Sequence, residues 1–342
     1  MKYKALVTAE LIPSFLECFK EKIDFEFAGY ALTHDVMPRE ELKEKIKDID
    51  ILICEYDTID KEIFDCAKQL KIIFCCRGGV KTVIDLEVAA ERGIIVCNNG
   101  GRNASAVSDL VMAFMLDMTR NVTLTSNLIH NRVITTDVKS KPDEYRDTVW
   151  GLDNNSPFIK YRGKSLNHMT LGLIGCGFAG KLVARKAMAF GMKVIVYDPY
   201  IKLGSLPQKV EMVEFDELLN KADIISLHCA LTPQTKDMFG AEQFAKMKQG
   251  AFFINTARGE LVDEDALISA LNSDHLAGAA IDVTRVEPIA DNSPLLDAKN
   301  LIITPHIGGS SYDVQVVGTN MVVDDLKAWL KGKKPYNCVI GG

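Results

Sequence analysis

Short, continuously apolar segments separated by helix-patterned stretches recur along this chain in two series, and that alternation constrains the fold most. In the first series, Lys4–Thr8, Asp50–Glu55, Lys71–Cys76 and Ile94–Cys97 read as strands. Between them, Pro38–Asp48, Lys61–Gln69 and Asp85–Glu91 carry helical patterns, the last stopped by Gly93. The second series predicts strands at Thr170–Ile174, Lys193–Asp198, Asp223–Leu227, Ala251–Asn255, Ala277–Ile281 and Leu301–Thr304. Strands that are apolar on both faces and alternate with helices imply parallel sheets covered on both sides. At 342 residues the chain exceeds what one core usually supports. We therefore expect an α/β protein of two doubly wound parallel-sheet domains.

Two helical patterns flank the second series. Ser105–Thr119 contains the apolar run Leu110–Leu116, which predicts a buried helix and is far too short to span a bilayer. Tyr312–Leu330 has helical spacing and precedes the turn-like Lys331–Pro335. Leu124 to Met169 is weaker and reads as surface loop with some helix, including the polar stretch Lys139–Glu144. The start reaches Glu10 too soon for a signal peptide and reads as a first strand.

A net charge of −6 argues against a nucleic-acid or anionic-membrane surface. The nine cysteines form no C-x-x-C pair, so no zinc or other metal site is expected. They read as reduced, buried thiols, which points to the cytoplasm. His34, His130, His168 and His275 lie in polar surroundings and read as solvated.

The sharpest motif is Gly175-Cys176-Gly177-Phe178-Ala179-Gly180. Alone it is a common turn, but a strand leads in, a helix leads out, and a second strand ends in Asp198. In such a unit Gly175 allows the turn, Gly177 lets a pyrophosphate approach the backbone, and Gly180 lets the helix pack on the sheet. The helix start supplies N–H groups for phosphate, and Asp198 accepts from the ribose hydroxyls. A carboxylate there favours NAD over NADP. The other reading is a structural turn; strand, helix and acid together favour the dinucleotide.

Polar residues follow the later strands: Asn255–Glu260, with Arg258, after Phe252–Ile254; Asp282 after Ala279–Ile281, with Glu287 close behind; and His306 after Ile302–Pro305. Ligands bind at the carboxyl ends of such strands. Hydride transfer to a 2-oxo acid needs a cation for the carboxylate, a proton donor near neutrality, and an acid to orient that donor. Arg258, His306 and Glu287 supply one of each. Singly, Arg258 also fits a strand-end cap, Glu287 a surface acid and His306 a satisfied loop histidine. The residues alone leave the two readings level.

Several segments in order resemble the D-isomer-specific 2-hydroxyacid dehydrogenases. They are Gly172–Gly180, Tyr197–Tyr200, Ser226–Thr235, Ile254–Gly259, Ala280–Val283 with Glu287-Pro288, and Thr304–Gly309. The likeness extends through Asp85–Gly93 and Gly101–Val107. It implies a Rossmann NAD-binding domain, 104–312, inserted into a flavodoxin-like substrate domain, 1–103 with 313–342. It implies Arg258, Glu287 and His306 as catalytic residues. Around NAD it places Gly175, Gly177, Phe178, Ala179, Gly180, Asp198, Thr232, Thr256, Ala257, Arg258, Asp282, His306, Gly308 and Gly309, with Asp282 facing the carboxamide. Gly78, Gly79, Val80 and Asn103 join Arg258 and His306 around the substrate, a small 2-oxo or 2-hydroxy acid. A homodimer is implied, and no nucleic-acid or membrane partner. Two other readings share the fold: a formate dehydrogenase, against which Glu287 counts, and a non-catalytic NADH-sensing interaction protein. The loop departs from the family pattern at Gly79-Val80-Lys81-Thr82-Val83-Ile84-Asp85, where Lys81 adds a cation.

Overall fold

A computed structural model describes residues 2–135, 156–202 and 204–341. The chain divides into two compact units, Met1–Asn103 with Ser310–Gly342, and Ala104–Gly309. The second division falls three residues before the crossing expected at 312/313.

In the first unit the strands are β1 (Tyr3–Val7), β2 (Ile23–Phe27), β3 (Ile51–Cys54), β4 (Ile72–Cys75) and β5 (Ile95–Asn98). In the second they are β6 (Thr170–Ile174), β7 (Lys193–Tyr197), β8 (Glu211–Met212), β9 (Ile224–Leu227), β10 (Ala251–Asn255), β11 (Leu276–Ile281) and β12 (Leu301–Ile303). Strand β13 (Cys338–Ile340) returns to the first unit.

The first unit's sheet runs β13-β5-β4-β3-β1-β2. All pairings are parallel except β13 with β5. Leaving β13 aside, this is the flavodoxin-like order, which reverses between β1 and β3. Every residue of β3 and β4 is buried, with one apolar cluster on each face of the sheet. The helix Tyr312–Trp329 closes one of those faces through Val322, Val323 and Leu326.

The second unit's sheet runs β12-β11-β10-β9-β6-β7-β8, entirely parallel. This is the Rossmann order with its reversal between β6 and β9. The helix Ala104–Arg120 buries Val111, Met112, Phe114, Met115 and Met118 in one of the two face clusters. The expected two-domain α/β architecture is borne out.

Three strands escaped the sequence reading. Strand β2 (Ile-Asp-Phe-Glu-Phe) alternates apolar and acidic residues because it is an edge strand with an exposed face. Strands β8 and β13 are two and three residues long. Within the weakly patterned stretch, Val122–His130 and Pro157–Lys160 are helices. The segment Lys139–Glu144 lies outside the described residues. Among the described residues no helix is long and apolar enough to cross a membrane.

Candidate active site

Strand β6 runs straight into the glycine turn at the point where the second unit's strand order reverses. Gly175 has φ +88, and a Cβ there would lie 2.7 Å from the backbone of His228 and Cys229. A Cβ on Gly180 would lie 2.5 Å from the Gly175 carbonyl oxygen. Both positions are therefore closed to any side chain by the protein itself. Gly177 differs: among the described residues nothing lies within 4 Å of its Cβ position. The open space there leaves the backbone accessible, as the approach of a diphosphate to this turn requires. Gly177 caps the helix Phe178–Ala189, whose first N–H groups have no partner inside the helix.

Asp198 follows β7. One oxygen accepts from the Cys176 N–H at 2.8 Å and the other from the Tyr200 N–H at 2.9 Å. An ionised carboxylate has about four acceptor positions, so places remain for two hydroxyls. Thr256 Oγ1 is buried without a partner among the described residues. An open cradle, an acid with spare acceptor capacity and an orphaned hydroxyl fit a dinucleotide. Phe178 and Thr232 are exposed, and the Thr232 N–H donates to Thr235 Oγ1 at 2.8 Å. Cys176 is buried behind the turn, and burial pushes its thiol up to about 11.

The catalytic candidates sit on loops after β10, β11 and β12. His306 Nδ1 lies 2.8 Å from Glu287 Oε2, with the two side chains 49% and 40% exposed. An ionised carboxylate can only accept, so Nδ1 carries the proton in this contact and Nε2 is the free nitrogen. Glu287 Oε1 accepts from the Thr284 N–H at 3.2 Å. A Cβ on Gly259 would meet the Thr284 carbonyl carbon at 2.2 Å. Glycine there lets the Arg258 loop press against the loop that carries Glu287. Arg258 is exposed, with Nη1 donating to the Ala257 carbonyl at 2.5 Å.

Two buried residues brace these loops. Asn255 Nδ2 donates to the Arg258 carbonyl at 2.8 Å, and its Oδ1 accepts from the Ala257 N–H at 3.0 Å. Asp282 is only 1% exposed. Its carboxylate accepts from the Ile307 N–H at 2.8 Å, the Gly308 N–H at 2.7 Å and the Thr304 hydroxyl. Both oxygens thus brace the His306 turn, and of about four acceptor positions on a carboxylate one remains beside these three donors. His306 has φ +56, a conformation unfavourable for a side-chain-bearing residue, and these bonds hold it there. Gly308 is needed for the same reason, since a Cβ would lie 2.8 Å from Asp282 Oδ2. Gly309 follows in the same turn.

His228, at the end of β9, has Nε2 3.0 Å from Ser226 Oγ. Burial lowers its pKa to about 4, so the ring is neutral behind the glycine turn. His275 departs from the solvated reading, with its two nitrogens 3.0 Å from Gln249 Oε1 and 2.9 Å from the Phe244 carbonyl.

The first unit carries the remaining candidates. After β4 the chain turns through Gly78, Gly79 and Val80. Asn98 Nδ2 donates to the Gly78 carbonyl at 2.8 Å, and the Thr82 hydroxyl to that of Gly79 at 2.9 Å. Gly78 and Gly79 are exposed, whereas Val80 is buried and anchors the loop. Asn103 is exposed and ends the first stretch of this unit. The sequence reading missed a group of buried charges here. Glu55, 3% exposed, pairs with Arg102, and Asp57 accepts from the Thr8 hydroxyl at 2.5 Å. Between them, Tyr56 lies under the Arg77 guanidinium at 5.2 Å. Burial and the Glu55 charge push the Tyr56 phenol up to about 12. Acids at the end of an apolar strand are visible in sequence, but their burial is not.

Residues 112–308 match the family described as "D-isomer specific 2-hydroxyacid dehydrogenase, NAD binding domain". The NAD expectation is thereby borne out. A D-3-phosphoglycerate dehydrogenase of Methanocaldococcus jannaschii is 37% identical over 98% of this chain, which spans 59% of that protein's length. A glyoxylate reductase of Thermococcus litoralis is 35% identical over 88% of this chain and 87% of its own. Among solved structures, a D-lactate dehydrogenase of Aquifex aeolicus complexed with NAD and lactic acid superposes with a TM-score of 0.73. It is 26% identical and 99% of each chain is covered.

Proposed function

Because the chain belongs to the D-isomer specific 2-hydroxyacid dehydrogenase family, we propose that it is an NAD-dependent oxidoreductase that interconverts a 2-oxo acid and the D-2-hydroxy acid. The observation that carries this reading is the 2.8 Å contact between His306 Nδ1 and Glu287 Oε2. With the carboxylate as acceptor, Nδ1 is the donor in this contact, which supports Nε2 as the proton-transferring atom.

In the reducing direction the charged His306 ring gives its Nε2 proton to the carbonyl oxygen. Glu287 stabilises the charged ring beforehand and orients it throughout. Arg258 holds the carboxylate by a two-pronged contact and draws electron density from the adjacent carbonyl. The likeness to the family assigns the Gly78 and Gly79 amides to the substrate carboxylate as well. NADH, when bound, supplies the hydride; Gly175–Gly180, Asp198, Thr232, Thr256 and Ala257 are the residues we assign to holding it. His306, Gly308 and Gly309 close that list.

A homodimer in the cytoplasm belongs to the same proposal. Exposed Val122, Leu124 and Ile129 on the helix Val122–His130 support an association surface. Light scattering of the purified protein tests it, and a monomer at all concentrations contradicts it.

Relatives are named for phosphoglycerate, glyoxylate and hydroxypyruvate. The decisive assay is therefore NADH oxidation with glyoxylate, hydroxypyruvate, pyruvate, bulkier 2-oxo acids and 3-phosphohydroxypyruvate. Turnover of at least one is expected. NADH binding with no turnover on any of them would favour a sensing role.

A further inference from the structure

Nine free cysteines are distributed through the chain, and one pair is set apart by its geometry. Cys97 on β5 and Cys338 on β13 are direct cross-strand partners in the antiparallel pairing. The neighbouring pair, Asn98 and Asn337, is joined by the Asn98 N–H to Asn337 carbonyl bond at 3.0 Å. Hydrogen-bonded and non-hydrogen-bonded pairs alternate along an antiparallel ladder, so Cys97 and Cys338 form a non-hydrogen-bonded pair. Such pairs bring Cα atoms to about 4.5 Å with side chains on one face. That separation lies inside the range a disulfide spans, about 4.4–6.8 Å.

The approach to Cys338 is fixed by a buried acid. Asp325 accepts from the backbone N–H groups of Tyr336 at 2.7 Å and Asn337 at 3.2 Å, and from Asn337 Nδ2 at 3.0 Å. The two residues before Cys338 are thus pinned to the helix Tyr312–Trp329, and the pair's register follows. The sulfurs also differ in access. Cys97 is buried, whereas Cys338 is partly exposed. The Cys338 thiol donates to the carbonyl of Ile340 at 3.2 Å and to that of Gly341. Cys54 and Cys75 are also partners, on parallel strands β3 and β4, but both are fully buried in the sheet and out of an oxidant's reach.

We propose that Cys97 and Cys338 are a reversible dithiol–disulfide pair that ties β13 to β5. The oxidant class is a hydroperoxide. The Cys338 thiolate attacks a peroxide oxygen; the O–O bond breaks, giving a sulfenic acid and hydroxide. The Cys97 sulfur then attacks the Cys338 sulfur. The S–S bond forms, the S–O bond breaks, and the departing hydroxide takes the Cys97 proton as water. In sum two thiols lose two electrons and hydrogen peroxide becomes two waters. A dithiol reductant reverses the link.

The test is the full-length protein treated with hydrogen peroxide, then read by intact mass and by peptide mapping without reduction. The expected result is loss of the mass of two hydrogen atoms and a Cys97–Cys338 linked peptide that dithiothreitol removes. Cys338→Ser and Cys97→Ala should each abolish the link. Should one variant fail to fold, the other and the wild-type peptide map still decide the matter. Oxygen added to Cys338 without a link, a link between other cysteines, or all thiols remaining free would overturn the proposal.

Discussion

The strand ends of the two units use buried carboxylates in opposite ways. In the second unit, Asp282 is buried but spends its oxygens on backbone N–H groups of the turn that presents His306. Asn255 does the same for the Arg258 loop. The side chains of Arg258, Glu287 and His306 stay exposed while the groups that brace their loops are hidden. In the first unit, Glu55 is buried against another charge, Arg102, and Asp57 against a hydroxyl. There the charges knit strand ends together, and the loop offered to solvent is glycine backbone. A buried acid at a strand end is thus no guide to chemistry until its partners are known.

The largest expected effect falls on the charge pair. Arg102→Met leaves Glu55 buried and unpaired, which should cost about 3–5 kcal/mol of unfolding free energy in urea titration. Glu55→Gln combined with Arg102→Met should recover most of it. Equal losses in the single and double variants would break the comparison, because the pair would then contribute no coupling.

Asp282→Asn comes next. It removes the charge and replaces one acceptor oxygen with an N–H₂ donor facing N–H groups, for a loss of about 1–3 kcal/mol. Turnover should fall through misplacement of His306 while NADH affinity changes less. A variant with wild-type turnover would mean that the turn needs no such brace.

His228 gives a pH test. Its pKa is lowered to about 4 in the folded protein from 6.5 unfolded. Between those values the unfolded chain binds the extra proton, so stability is present above pH 6.5 and declines as pH falls toward 4. A loss of about 3 kcal/mol is expected across that window. His228→Gln should flatten the slope by about one proton. An unchanged slope would place the titration elsewhere.

The smallest effect on the fold is expected at Gly177. Gly177→Ala meets no atom within 4 Å and should leave thermal stability near wild type while weakening NADH binding. Gly175→Ala has φ +88 and a backbone clash at 2.7 Å, and should destabilise the fold as well. If both variants lose stability alike, the cradle is structural and not built for a ligand.

What the sequence made legible follows from range. Strands β3, β4 and β10 are buried on both faces, so their continuous apolar runs could be read directly. Strand β2 carries Asp24 and Glu26 on its open side and broke the pattern. His306, Glu287 and Arg258 stood out as candidates because each lies within six residues after an apolar run. The direction of the Asp282 carboxylate was not, since it depends on a turn 25 residues later. Nor was the pairing of Glu55 with Arg102, 47 residues apart and joined only by the sheet order.

The central claim is that His306, aimed by Glu287, moves the proton. It is tested most directly by single-turnover reduction of a working 2-oxo acid with NADH, comparing wild type with His306→Ala. A fall of about 10²–10⁴ in the rate, with NADH affinity unchanged, is the predicted result. A near wild-type rate would contradict the account.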